Sequence, residues 1–326
     1  MRLADAERRL FSEAEPLGFI LFARNVESAR QVRDLVSDLR ACVGRPTAPV
    51  LIDQEGGRVA RLPAPLWRAA PAAARIGDLY DVDPVAGSEA AWLNGRLLAA
   101  DLAPLGITVD CLPVLDLRFD DAHAIIGDRA FGADARKVAA LGRATCEGLL
   151  AGGVLPVVKH VPGHGRATLD SHAALPVVGT PRTELEATDF QPFRALSDMP
   201  IAMTAHVVYS AIDSAAPATV SATVIGDVVR GFIGFDGFLI SDDLSMKALS
   251  GGLEDRTRAA LAAGCDAVLH CNGDLEEMSA VLDACGALSP AASARWAGAM
   301  ARVGQAAPLD DPASRFDALM GRLGDR

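Results

Sequence analysis

VLPVVKHVP, residues 154–162, is apolar at every position until Lys159 and His160. A strand with one wet face alternates; a run that stays apolar until its end reads as a parallel strand covered on both faces. Six more runs have the same character: GFILFAR (18–24), APVLIDQE (48–55), VDCLPVLD (109–116), PIAMTAHVVY (200–209), FDGFLISDD (235–243) and CDAVLHC (265–271). The stretches between them read as helices. Ser28 to Val43 places Val32, Leu35, Val36 and Leu39 on one stripe and stops at Gly44. Repeated β-then-α units predict a parallel sheet, here an α/β fold of the TIM-like (β/α) barrel kind. Most runs end in polar residues: Arg24, Asp53 and Glu55, Asp116, Lys159 and His160, His206, Asp242 and Asp243. Carboxyl ends of parallel strands are where such a barrel places its chemistry. The count is seven runs against the eight of a closed barrel. The expectation is therefore a barrel lacking its first strand, which would lie upstream of Met1, or one closed by something else. No linker, repeat or low-complexity tract interrupts residues 1–326. A single domain is expected, with a polar helical tail from about residue 305.

The 326 residues are 50% hydrophobic and 22% charged, an ordinary globular composition. A net charge of −11 argues against nucleic acid or an anionic membrane as the main partner and leaves a small ligand open. The opening MRLADAERRLFSEAEP mixes acids and bases and has no apolar core, so it does not read as a secretory signal. The apolar runs are well short of the roughly 20 residues of a spanning helix. Six scattered cysteines form no C-x-x-C pair. They read as buried free thiols in preference to disulfides or a zinc site, which fits a reducing cytoplasm.

Three segments carry candidate chemistry. In LIDQEGGRVARL, Asp53 and Glu55 sit at a strand end, and Gly56-Gly57 lets the backbone turn before Arg58 and Arg61. The bland alternative is a βα turn with solvated charges. In KHVPGHGRATLDSHAALPVV, a loop built on Pro162, Gly163 and Gly165 surrounds His164 and leads to Asp170-Ser171-His172. Side chains two apart share a face in extended chain, so Asp170 can touch His172, fix its tautomer and stabilise its imidazolium. That is a poised general acid/base. The glycines make this loop a candidate for closing over a substrate. The clustered histidines also raise a metal, but the spacing passes through Pro and Gly and lacks a carboxylate–His helix motif, so no metal is expected. In GFLISDDLSMKAL, two carboxylates end a buried strand. By alternation only one of Asp242 and Asp243 can face the barrel mouth; the other turns away or caps the next helix.

Together these segments resemble glycoside hydrolase family 3, in its single-domain bacterial β-N-acetylhexosaminidase branch. The matching pieces are ILFARN, IDQEGGRVARL, IIGDRAFG (125–132), KHVPGHGRATLDSH, AHVVYSAID and ISDDLSM, in family order over residues 18 to about 275. The resemblance implies Asp242 as nucleophile and His172 as acid/base with Asp170 as its partner. It implies sugar binding by Asp53, Arg61, Arg129, Lys159 and His160. Glu55, His164 and His206 match as supports behind them. It further implies a retaining enzyme that removes terminal, non-reducing β-linked N-acetylglucosamine from peptidoglycan-derived muropeptides through a covalent glycosyl-enzyme. No cofactor or metal is expected, and the enzyme would be a cytoplasmic monomer. The family usually begins with one more strand than this chain shows, in agreement with the count of seven. A neutral His repels an anion less than a carboxylate would, so a β-N-acetylglucosaminide phosphorylase is the first alternative. A non-catalytic sugar-binding barrel is the second. A dehydrogenase or aldolase fits poorly, because no G-x-G-x-x-G follows a strand and lysines are scarce.

Overall fold

The computed structural model describes every residue except Met1, Asp121, His172, Ala173, Gln305, Ala307, Asp325 and Arg326. Its main sheet has seven parallel strands in sequence order: β1 (Phe19–Leu21), β2 (Val50–Ile52), β3 (Val109–Asp110), β4 (Leu155–Val161), β5 (Ile201–Thr204), β6 (Phe238–Asp243) and β7 (Ala267–Leu269). Each is shorter than its apolar run. After β2, Gln54–Gly56 leaves the sheet and pairs antiparallel with Val59–Ala60. The run at 109–116 keeps only a bridge from Val114 to Lys159 beyond β3.

The sheet sorts its side chains by period two. Ile20, Leu51, Val109, Leu155, Val157, Ile201, Met203, Phe238, Ile240, Ala267 and Leu269 share one cluster on the concave face. Phe19, Leu21, Val50 and Ile52 point outward against helices, as do Val158, Ala202 and Leu239 further along. The helix Pro290–Met300 packs Trp296 against Phe238, ring centroids 5.1 Å apart, and so closes the end at which the strands begin.

The helices follow the sequence closely. Ser28 caps Ala29–Cys42 by accepting from the Gln31 N–H, and Val32, Leu35, Val36 and Leu39 are the buried stripe. The C-terminal helix Pro312–Met320 buries Phe316 and Leu319, more than a purely polar tail would. Cys111, Cys146 and Cys265 are buried, and all six cysteines are free thiols.

Each end strand has one neighbour: β1 pairs with β2, and β7 with β6. Between them lies a cavity of about 1170 Å³, lined by both strands and by Phe11, Leu35, Met278 and Trp296. The seven-strand count is thus realised as a sheet curled into a barrel with one open wall. No helix among the described residues is long and apolar enough to cross a membrane.

Candidate active site

The inner-face alternation that fills the barrel with apolar residues changes chemistry at the strand ends. Leu51 is followed on the same face by Asp53, Val157 by Lys159, and Ile240 by Asp242. Lys159 is only 2% exposed. Its Nζ donates to Asp53 Oδ1 at 2.8 Å and lies 2.7 Å from Glu55 Oε1. Arg129 grips Glu55 with two parallel bonds, Nε to Oε2 at 2.8 Å and Nη2 to Oε1 at 2.7 Å. Arg61 reaches Asp53 Oδ2 at 3.3 Å. Burial alone would push the Glu55 carboxyl up; the charges of Lys159 and Arg129 outweigh it and hold the group far below the carboxylate range. Burial likewise opposes the charge on Lys159, and Asp53 and Glu55 overcome it and raise the ammonium pKa. The five charges are fixed in place as a preorganised polar floor.

Local turns set this floor. Gly56 and Gly57 have φ of +98° and +54°, and a Cβ on Gly56 would meet the Pro71 carbonyl oxygen at 2.4 Å. Buried Gln54 accepts from the N–H groups of Arg61 and Leu62 at 2.8 and 2.9 Å, which brings Arg61 back beside Asp53. Arg58 bonds Asp128 Oδ1 at 2.9 Å and the Ile125 carbonyl at 2.6 Å, tying this turn to the one that carries Arg129.

Asp242 and Asp243 divide between the site and the turn, at a point where the β6–β7 register shifts between Ile240 and Asp243. Asp242 continues the inner face after Phe238 and Ile240, and its Oδ1 accepts from the Asp243 N–H at 2.8 Å. Asp243 caps the turn, accepting from Ser245 N–H, Ser245 Oγ and Cys271 N–H at 2.9, 2.6 and 3.1 Å. Burial would raise the Asp242 carboxyl, but His160, His206 and the Asp243 N–H outweigh it and lower its pKa. It is an anion at neutral pH. His206 lies behind it. Nε2 is 2.9 Å from the Asp243 carbonyl, which can only accept, so Nε2 carries the proton. Nδ1 then accepts from Thr219 Oγ1 at 2.7 Å.

Asp116, fully buried after β3, is the pivot of the histidines. Its Oδ2 is 2.7 Å from His160 Nδ1, and Oδ1 accepts the N–H of His164 at 2.6 Å and of His160 at 3.3 Å. Burial raises Asp116; His160 and His164 reverse the shift and leave it lowered. The His164 imidazole is pushed down to about 4, first by burial and then by His160, and is neutral at pH 7.

The structure therefore gathers Asp53, Glu55, Arg61, Arg129 and Lys159 into one network, and His160 and His164 around Asp116. His206 stands behind the Asp242–Asp243 corner. Asp170 is at the far end of the loop, and its carbonyl accepts from the Ala174 N–H at 2.9 Å. His172 lies outside the described residues, so its expected contact with Asp170 does too. Sequence reading missed Gln54 and Thr219 as contributors, named Arg58 without its partners, and took Asp116 only as a strand-closing residue. A carboxylate ending an apolar run was the available signal for Asp116. Among the described residues no group of three or more His, Cys, Asp or Glu is placed to hold a metal ion.

The model of the glycosyl hydrolase family 3 N-terminal domain matches residues 2–305. The chain belongs to glycoside hydrolase family 3. Within the family it is 40% identical over 275 residues to a β-hexosaminidase of Bordetella avium, covering 83% of this chain and 78% of that protein. NagZ from Neisseria gonorrhoeae, solved with N-trifluoroacetyl-D-glucosamine, superposes with a TM-score of 0.88 at 34% identity, over 98% of this chain and 94% of that one. A family 3 β-N-acetylglucosaminidase from Paenibacillus gives a TM-score of 0.87 at 30% identity; this chain spans 65% of its length. This family 3 chain is thus a glycoside hydrolase built on a TIM-like barrel, and the strand-end cluster is its candidate active site.

Proposed function

We propose that the protein is a retaining β-N-acetylhexosaminidase that releases terminal, non-reducing β-linked N-acetylglucosamine. The observation that carries this reading is Asp242: a carboxylate on the inner face of a strand end, held ionised, beside a rigid network of charges suited to sugar hydroxyls. Asp242 attacks the anomeric carbon while His172 protonates the departing oxygen, forming a covalent glycosyl-enzyme. His172 then takes a proton from the water that releases the sugar, with Asp170 stabilising its imidazolium. Two inversions give net retention of the β configuration.

Asp53, Arg61, Arg129, Lys159 and His160 bind the sugar in this reading. Sugar hydroxyls donate and accept, so a floor with carboxylate acceptors and cationic donors can pair with them in sequence. Glu55 holds Arg129 and Lys159 in place, His164 fixes the loop start, and His206 supports the backbone next to Asp242. The names of the relatives favour N-acetylhexosamine as the sugar, and the substrate in this reading is a muropeptide fragment of peptidoglycan in the cytoplasm. No specific observation favours phosphorolysis or sugar binding without turnover.

The test is labelling by a 5-fluoro N-acetylglucosaminide inactivator, followed by peptide mass analysis. The adduct is expected on Asp242; an adduct on Asp243 or Glu55 overturns the assignment. Turnover of a chromogenic N-acetyl-β-glucosaminide well above that of the plain β-glucoside, with N-acetylglucosamine and not its 1-phosphate released in phosphate buffer, completes the case.

A further inference from the structure

Ser171 sits between Asp170 and His172, the pair to which the acid/base role is given. Its side chain is turned inward and is 2% exposed. The hydroxyl lies 3.0 Å from His164 Nε2, and the Ser171 carbonyl accepts from the Ala248 N–H at 3.2 Å. His164 is itself immobilised. Its N–H donates to Asp116, and its ring packs edge-on to His160 with centroids 5.8 Å apart. Gly165 comes next and packs directly against the Leu117 backbone, where a Cβ would meet the Leu117 carbonyl oxygen at 2.1 Å.

The His164 ring is buried and neutral, and Nδ1 has no hydrogen-bond partner. A bare ring nitrogen lone pair is a cheaper orphan than an unpaired N–H. The favoured tautomer therefore carries its proton on Nε2 and donates it to Ser171 Oγ. One end of this bond stands on the rigid strand-end platform built by Asp116. The other end is the residue in the middle of Asp170-Ser171-His172.

We propose that Ser171 is a positioning residue for the acid/base: its bond to His164 clamps the loop to the Asp116 platform and sets where Asp170 and His172 stand relative to Asp242. The proposal rests on the acid/base reading of His172. Removing the clamp leaves the nucleophile and the sugar floor untouched. It lowers the fraction of time the acid is in reach of the leaving oxygen.

The experiment compares kcat/KM of the full chain on two substrates, an unactivated β-linked N-acetylglucosamine disaccharide and a dinitrophenyl N-acetyl-β-glucosaminide. Only the first needs its leaving group protonated, and kcat/KM reports the step in which the glycosyl-enzyme forms. Ser171→Ala is expected to lose about tenfold on the disaccharide and less than about twofold on the aryl glycoside. Ser171→Cys, similar in size with a weaker donor and acceptor, should fall between and serves if the Ala variant folds poorly. The double variant Ser171→Ala/His172→Ala should be no worse than His172→Ala alone, because the clamp acts only through His172.

Equal losses on both substrates from Ser171→Ala overturn the proposal, as does a double variant whose losses multiply. Either result leaves the acid/base reading of His172 standing. That reading fails separately, if His172→Ala alone lowers both kcat/KM values equally, and the role of Ser171 then falls with it.

Discussion

The mouth of the sheet and its open wall are built on opposite principles. At the mouth, the ends of β2 to β6 and the loops after them bring together ionic groups whose charges are paired. Lys159 bridges Asp53 and Glu55, Arg129 grips Glu55, and Asp116 holds two histidines. At the wall, β1 and β7 each lack a second neighbour, and apolar side chains face a cavity of about 1170 Å³. None of Asp53, Asp116, Lys159, His160, His206 and Asp242 belongs to β1 or β7. The catalytic reading therefore depends on the closed side of the barrel, and the open side bears on stability.

The largest expected effect tests the mouth. Asp242→Asn should lower kcat/KM by about 10⁴-fold or more while the melting temperature stays within a few degrees. Loss of activity through unfolding would instead move both. Next is Lys159→Met, which leaves Asp53 and Glu55 facing each other without the ammonium. Breaking a buried pair in this way costs about 3–5 kcal/mol, readable from urea unfolding. A cost below about 1 kcal/mol would show that the network is solvated and is not a fixed floor.

A smaller effect contrasts the two regions directly. Ile52 is fully enclosed between β2 and its covering helices, whereas Ile20 lines the cavity. Ile52→Ala should cost about 3 kcal/mol and Ile20→Ala about 1 kcal/mol, because a side chain beside an existing void forfeits fewer contacts. Equal costs would mean the wall is packed as tightly as the rest.

The most gradual effect is on pH. The folded pKa of Glu55 lies below its unfolded value of about 4.3, so its stabilisation is full above that value and is lost as pH falls towards the folded one. Asp116 and Asp242 are lowered too and act in the same sense. Lys159 is raised above its unfolded value of about 10.4, so its share is full below that and is lost as pH rises through the folded value. The urea midpoint should fall below about pH 4 and again on the alkaline side, where the thiols of Cys111, Cys146, Cys265 and Cys271, kept protonated by burial, oppose high pH as well; Lys159→Met should shrink the part of the fall above about pH 10.5 without removing it. An unchanged alkaline limb in that variant would assign it to other groups.

Much of this was legible one residue at a time. Continuous apolar runs can be read because a strand covered on both faces has no polar position to spare, and Ser28 and Gly44 mark helix ends through their own backbone chemistry. Alternation in the sequence says that Asp242 and Asp243 divide their labour, although which of them faces inward was decided by the folded strand end, where the register with β7 shifts between Ile240 and Asp243. The roles of Gln54 and Thr219 and the partners of Arg58 were not legible. Each acts on a backbone or side-chain group that only folding brings near, and a lone polar residue carries no sign of its partner.

By itself the sequence determined the parallel α/β architecture, the seven strands and the candidate residues at their ends, because periodicity and residue type are local properties. The tertiary structure decided which charges pair, that Asp116 is the pivot of His160 and His164, that Ser171 turns inward to His164, and that the missing neighbour of β1 and β7 leaves a cavity in the wall. Those outcomes depend on distances between residues far apart in the chain, and burial sets the strength of each interaction only once the chain has closed around it.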